Sequence, residues 1–132
     1  MGSDALSQAL IADSEIVVDL LLNKGAPLQK TDAGLTPLMF AGNTKHLSIV
    51  TKLIAAGGEV NDTQPDGWSP LMHAVANKNF GVVKLLVENG ADISNRNSDG
   101  DTAIDIAKSL GEIEIVDFLM NSSSVYSISS RK

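Results

Sequence analysis

The 132-residue chain contains no cysteine, and this absence excludes several kinds of site. Without thiols the protein can form no disulfide, no cysteine-ligated zinc site and no cysteine nucleophile. A lack of cysteine is also in keeping with a reducing compartment. We therefore expect an intracellular protein of the cytoplasm or the nucleus.

Basic residues are few, with ten Lys and Arg against sixteen Asp and Glu and a net charge of −6. Because binding to a phosphate backbone depends on clustered Lys and Arg, we expect no nucleic-acid partner. The longest apolar stretch, residues 16–22, is interrupted by Asp19 and is too short to span a bilayer. No secretory leader is recognised, and the length predicts one domain.

What the chain does contain is an internal repeat of 33 residues. Gly34, Gly67 and Gly100 open three similar stretches, and the first two continue as Leu-Thr-Pro-Leu-Met and Trp-Ser-Pro-Leu-Met. A repeat of this length indicates a stacked array in which each unit buries its apolar face on its neighbours.

Each repeat predicts two helices joined to the next repeat by a turn. Thr36 and Ser69 are N-cap residues, and the proline that follows each of them suits the first helical position. A second helix with closely spaced Leu, Ile and Val follows, and Gly57 and Gly90 are placed to end it in a left-handed conformation. The Asp, Asn and Gly residues that come next are typical of tight turns.

The stretch Thr-Pro-Leu-x-x-Ala from residue 36, the second-helix pattern and Gly-Ala-Asp at 90–92 together resemble the ankyrin repeat. The resemblance implies an all-α solenoid of helix-turn-helix pairs joined by β-turn or hairpin fingers. It covers residues 4–121 as four repeats, of which the first is divergent and the last is a cap. The repeats are expected at about residues 4–33, 34–66, 67–99 and 100–121.

The two ends of the chain depart from the repeat pattern. In the first repeat Asp4 stands in the cap position, and polar residues around Ser7 and Asp13 predict an end that faces water. Residues 122–132 contain six serines and predict a flexible tail. Its apolar residues leave open docking on the last repeat or use as a short linear motif, and they are Val125, Tyr126 and Ile128.

Residues with catalytic or metal-binding potential do not form a recognisable set. His46 and His73 lie in different repeats without a nucleophile or an orienting carboxylate, so structural roles are expected. Residues 95–101 resemble the start of an EF-hand loop, but its twelfth position is Ile106 where a bidentate Glu is required. We expect no enzyme, no metal and no cofactor, and a small-molecule binder is poorly supported.

The family resemblance implies a non-catalytic protein-interaction module, with an adaptor, scaffold or regulatory role. In ankyrin arrays the finger tips and the first helices form the binding face. The matching positions here are Asp32, Leu35, Asn43, Thr44, Asp66, Trp68, Asn77, Arg96, Asp99 and Asp101.

Trp68 is the only tryptophan and is predicted to anchor a partner protein or peptide. The acidic tips around it favour a partner with basic residues near an apolar anchor. Two alternatives stay open: Trp68 could instead lie on the neighbouring finger near Leu35, and the chain could be a regulatory or targeting segment of a larger enzyme or channel. The protein is expected to be a monomer.

Overall fold

The structure, a computed structural model, describes residues 5–130, with side chains described as far as residue 122. Over these residues it contains eight α-helices, one 3-10 helix (Ala41–Asn43) and no strand. The α-helices are α1 (Ala5–Ile11), α2 (Glu15–Asn23), α3 (Pro37–Phe40), α4 (Leu47–Ala55), α5 (Pro70–Ala76), α6 (Phe80–Glu88), α7 (Ala103–Leu110) and α8 (Ile113–Ser130).

The helices stack in two layers. The first helices of the repeats, α1, α3, α5 and α7, contact one another in sequence order, and the second helices, α2, α4, α6 and α8, do the same. Each first helix also packs on the second helix of its own repeat. The predicted all-α architecture is confirmed.

The helices begin where the capping residues predict. The Thr36 and Ser69 hydroxyls accept hydrogen bonds from the amides of Met39 and Met72, and the Thr102 hydroxyl does the same for Asp105. These bonds satisfy amides that have no partner within the helix, which stabilises each helix by about 1 kcal/mol. Asp4, the expected cap of α1, lies outside the described residues.

The core runs between the two layers along the whole array. Leu38 and Leu71 fill it from the first helices, while Val50, Leu53 and Leu86 fill it from the second. Each such side chain contributes about 1.5–3 kcal/mol when it is removed from water. The apolar periodicity of the sequence therefore places the stacking surface correctly.

The loops between repeats form three fingers of similar geometry, at residues 31–35, 64–68 and 97–101. In each finger the first amide donates to the carbonyl of the fifth residue at 2.9–3.0 Å. The fourth residue is a glycine with φ between +82° and +86°, and its amide donates to the first carbonyl. Glycine adopts this left-handed conformation without the strain of a side chain. The predicted fingers are present as β-turns.

The first helix of repeat two is shorter than its counterpart in repeat three. α3 has four residues and continues as the 3-10 helix, whereas α5 has seven. Gly42 lies in the 3-10 segment, and a Cβ built on it would be 3.2 Å from the backbone nitrogen of Ala74. The absence of a side chain at residue 42 therefore lets the two first helices approach closely.

Both ends differ from the sequence expectation. Ser7 is buried, whereas Gln8 is exposed and Asp13 is partly exposed, so the polar end was only partly predicted. The exposed side chains of repeat one also include the apolar Ile16 and Leu20. At the other end α8 continues to Ser130, past the boundary predicted at residue 121. The flexibility of this segment stays a prediction, and the side chains of Val125, Tyr126 and Ile128 lie outside the described ones. Within the part of the chain that is described, no helix is both long and apolar enough to cross a membrane.

Candidate protein-interaction surface

The predicted site residues are distributed over the three fingers and the ends of the first helices, a region we call the finger surface. Asp32, Asp66, Asp99 and Asp101 are exposed on the fingers. Leu35 and Trp68, which occupy equivalent positions in the first two fingers, are half-buried and do not protrude freely.

The fingers are brought together by direct contacts between neighbours. The Ser98 amide of the third finger donates to the Asp66 carbonyl of the second at 2.8 Å. A Cβ built on Gly67 would lie 2.9 Å from the Cα of Asn97, and one on Gly34 would lie 2.8 Å from the Pro65 ring. The fingers thus form a continuous row in which the predicted tip residues share one surface.

Trp68 lies over the first turns of α5, where its ring centroid is 5.3 Å from that of His73. With Ser69 as N-cap, these two residues occupy the positions that form a hydrophobic staple across the start of a helix. The Trp68 amide also donates to a carboxylate oxygen of Asp66 at 3.2 Å. Trp68 is therefore partly a structural residue, and the rest of its ring faces solvent next to an acidic side chain.

His73 connects the second finger to α5. Its Nε2 is 2.5 Å from Oε1 of Gln64, and because an amide oxygen can only accept, Nε2 carries the hydrogen. Burial lowers the pKa of His73 below its usual value, and the negative charge of Asp66 offsets this only in part. The imidazole next to Trp68 is thus neutral at pH 7.

The third finger is held by Asn97, whose buried side-chain oxygen accepts from the amides of Asp99 and Asp101 at 2.9 and 3.0 Å. Arg96 donates to the Gly100 carbonyl at 2.7 Å, so its guanidinium stays at the base of the finger. These bonds confirm that the Asx residues of the EF-hand-like stretch make the turn itself. Among the described residues no group of three or more acidic or histidine side chains could hold a metal ion.

The predicted residues at the ends of the first helices differ in their exposure. Asn43 and Asn77 are exposed, and Asn77 donates to the His73 carbonyl at 2.8 Å. Thr44 is only 5% exposed, so its assignment to the binding surface is wrong. Its hydroxyl donates to the Asp13 carboxylate and accepts from the His46 amide.

Thr44 belongs instead to a chain of hydrogen bonds that joins the helix-helix turns of three repeats. Its carbonyl accepts from the Asn79 side chain at 2.8 Å, while Asp13 also accepts from the Lys45 amide at 3.0 Å. Burial raises the pKa of Asp13, but the hydrogen bonds from Thr44 and Lys45 outweigh it, with help from nearby positive charge. The pKa of Asp13 consequently lies below its usual value.

Gln64 and His73 belong to the finger surface but were not among the predicted site residues. A signal was available, because Trp68 and His73 flank the predicted cap at the two staple positions. The sequence gives no corresponding signal for Gln64. Its side chain reaches His73 of α5 only because the turn from Gln64 to Trp68 is closed by a backbone hydrogen bond.

A cleft of about 410 Å³ lies between the loop at residues 90–94 and Ser122 of α8. The side chain of Asn61 borders it, but its amide is already paired with the Gly90 carbonyl and the Asp92 amide. The Asn61 amide therefore holds the loop in place and is not free to bind a ligand.

Taken together, the 33-residue period, the two helical layers and the row of turn fingers define a helical repeat solenoid with an exposed finger surface. The family profile described as ankyrin repeats (3 copies) matches residues 38–129, which is most of the chain. The protein belongs to the ankyrin-repeat family, as the sequence motifs predict. Ankyrin repeats are generally protein–protein interaction modules and are typically non-catalytic. A comparison with curated proteins finds no significant match.

Proposed function

We propose that this chain is a non-catalytic module that binds a partner protein or peptide on its finger surface. The observation that carries the proposal is the row of contacting fingers, which presents exposed carboxylates beside the partly exposed ring of Trp68. A rigid row of turns can recognise a partner without reorganising, which keeps the entropic cost of binding low.

The charge of the finger surface favours a basic partner. Asp66, Asp99 and Asp101 are exposed on adjacent fingers, and Asp32 extends the acidic edge to the first finger. Arg96 lies at the base of the third finger, and its guanidinium is bonded to a backbone carbonyl of its own finger. Such charges act mainly on the rate of encounter and on the choice of partner.

Trp68 supplies an apolar contact within this acidic edge. Its staple contact with His73 fixes the orientation of the ring, so little side-chain freedom is lost when a partner covers the rest of it. Aromatic residues of this kind commonly dominate binding energy when they are fully covered in a complex. The preferred ligand therefore has an apolar side chain or pocket flanked by Lys or Arg.

The experiment begins with affinity capture from cell extract, using the wild type and Trp68→Ala, followed by measurement of the affinity for each candidate partner. Trp68→Ala should weaken binding by at least about 2 kcal/mol. Leu35→Ala, at the equivalent position in the first finger, tests whether the binding surface extends to that finger. Because Trp68 also packs on α5, circular dichroism must show that both variants are folded at the assay temperature.

A second variant tests the electrostatic part of the proposal. Replacing Asp66, Asp99 and Asp101 with Asn should slow association and remove most of its dependence on salt, with a smaller effect on dissociation. An affinity that is unchanged in both this variant and Trp68→Ala would remove the finger surface as the binding site.

A further inference from the structure

The N-terminal repeat of the array has an exposed aliphatic face on α2. It consists of Ile16, Val17 and Leu20, which are 82%, 42% and 51% exposed, and we call it the N-face. Large aliphatic side chains grouped on one helix side are costly to leave in water and often mark a docking surface.

In two of the three later repeats the position of Ile16 contacts the preceding repeat, whereas its equivalent in the last repeat, Glu114, is exposed. Counting 32 residues to α4 and 33 more to α6, Ile16 corresponds to Ser48 and Gly81. The Ser48 hydroxyl donates to the carboxylate of Glu15, which begins the preceding second helix. A Cβ built on Gly81 would lie 3.0 Å from the side chain of Leu47, which begins α4, the second helix of the preceding repeat.

Residues equivalent to Leu20 also contact the preceding repeat. Its equivalent in α4 is Lys52, whose ammonium lies 3.4 Å from the Asp19 carboxylate of the preceding repeat. Its equivalent in α8 is Phe118, whose ring packs edge-on against Phe80 of the preceding repeat with centroids 5.5 Å apart.

Burial at the position of Val17 leads to the same conclusion. Its equivalents Ile49 and Val82 are 0% exposed, and Ile115 is 1% exposed. Val17 differs from them only in having no described repeat before it. The N-face thus consists of positions that make repeat-to-repeat contacts elsewhere in the array and are exposed on α2.

At the C-terminal end of the array, an exposed apolar side chain occupies the position that contacts the following repeat. Ile113 begins α8 and is 72% exposed. Its equivalents in the earlier repeats are Glu15, Leu47 and Phe80, and each of these contacts the second helix that follows. An apolar side chain therefore stands at each end of the array, in the register that the internal interfaces use.

We propose that a second copy of this chain docks on the N-face, with its Ile113 packed against Ile16 and Leu20. The contact continues the stacking register of the internal interfaces from one copy into the next. It joins two different surfaces, so it does not close on itself, and the assembly lengthens as concentration rises. It leaves the finger surface open and does not depend on the function proposed above.

Sedimentation velocity of the full chain over a wide concentration range tests the proposal. The wild type should show a weight-average mass that rises steadily beyond that of a dimer. Ile16→Glu and Ile113→Glu should each weaken association by roughly tenfold or more, because a charge would be buried in an apolar contact.

Mixing the two variants identifies the geometry. Ile16→Glu keeps an intact last repeat and Ile113→Glu keeps an intact N-face, so an equimolar mixture should form dimers and nothing longer. Self-association retained by Ile113→Glu would show contact between two N-faces and would overturn the proposed arrangement.

Ile11→Glu is the matched control. Ile11 is 67% exposed, but its equivalents Asn43 and Ala76 are also exposed inside the array, so this position makes no repeat-to-repeat contact. The control should associate as the wild type does. Leu20→Lys, which copies the natural residue Lys52, is the second N-face variant if Ile16→Glu is poorly folded. A wild type that remains monomeric at every concentration would refute the proposal.

Discussion

The middle of the array and its ends are built from the same repeat, yet equivalent residues have different environments. Val82 in α6 is fully buried between two repeats, whereas Val17, its equivalent in α2, is substantially exposed. The two valines have the same place in the sequence pattern. The pattern thus specifies the repeat, while the presence of a neighbour decides how much of each side chain is buried.

The fingers show the same contrast in their backbone. Gly67 and Gly100 have nearly equal φ angles of +83° and +82°. A Cβ on Gly67 would collide with the next finger at Asn97, whereas a Cβ on Gly100 would meet no atom within 4 Å. Both positions therefore need glycine for their left-handed backbone conformation. Only Gly67 also needs it so that the neighbouring finger can approach closely.

The largest effect is expected from Gly67→Ala compared with Gly100→Ala. Both variants incur the strain of a left-handed alanine, about 1 kcal/mol, and Gly67→Ala adds a backbone clash that brings its cost to about 3 kcal/mol. Urea unfolding of the two variants measures the difference. Equal losses of stability would show that the stacking of the fingers contributes nothing.

The next comparison is Val82→Ala against Val17→Ala. Val82→Ala removes two buried methyl groups and leaves a cavity, so we expect a loss of about 2 kcal/mol. Val17→Ala should cost less than about 1 kcal/mol, because water already reaches the side chain. These values apply at low protein concentration, where the proposed stacking is absent; similar losses for both variants would mean that the N-face is covered in solution.

A smaller effect is expected from Asp13→Ala, which breaks the link between the first and second repeats. Loss of the bonds to Thr44 and Lys45 should cost about 1–2 kcal/mol. Lys78→Ala is the matched control, since Lys78 also has a positive φ and should be nearly neutral when replaced.

The pH dependence of Asp13 has a definite sign. Its pKa is lower in the folded protein, so its contribution is fully present above the unfolded value of 3.8 and is lost as pH falls through the folded pKa. The stability difference between the wild type and Asp13→Ala should therefore shrink in acid. A difference that grows in acid would contradict the assignment of these hydrogen bonds.

The sequence predicted the parts of this fold that depend on local chemistry. Thr36 and Ser69 cap helices as expected, because a cap bonds only to amides of its own helix. Thr44 was misassigned because it is buried and its hydroxyl bonds to Asp13. Asp13 lies 31 residues away in a repeat that is out of the regular spacing, so the repeat pattern gives no sign of this contact. The apolar N-face was not predicted, because Ile16, Val17 and Leu20 fit the ordinary pattern of a repeat. That pattern does not show whether a neighbouring repeat covers these side chains.

The smallest effect concerns the finger surface, where His73 lies in the middle of the array and beneath Trp68. Burial lowers the pKa of His73, so the unfolded chain binds a proton more readily than the folded one. Stability should then be unaffected above pH 6.5 and fall by less than about 1 kcal/mol as the pH drops through 6.5 towards the folded pKa, since the ring remains partly exposed to solvent. His73→Gln should abolish this part of the pH dependence. The fluorescence of Trp68 follows protonation of His73 in the folded protein, because the charged imidazole would lie against its ring. The acid-dependent change in emission should therefore be present in the wild type and absent in His73→Gln, and a change of equal size in both would contradict the contact between the two rings.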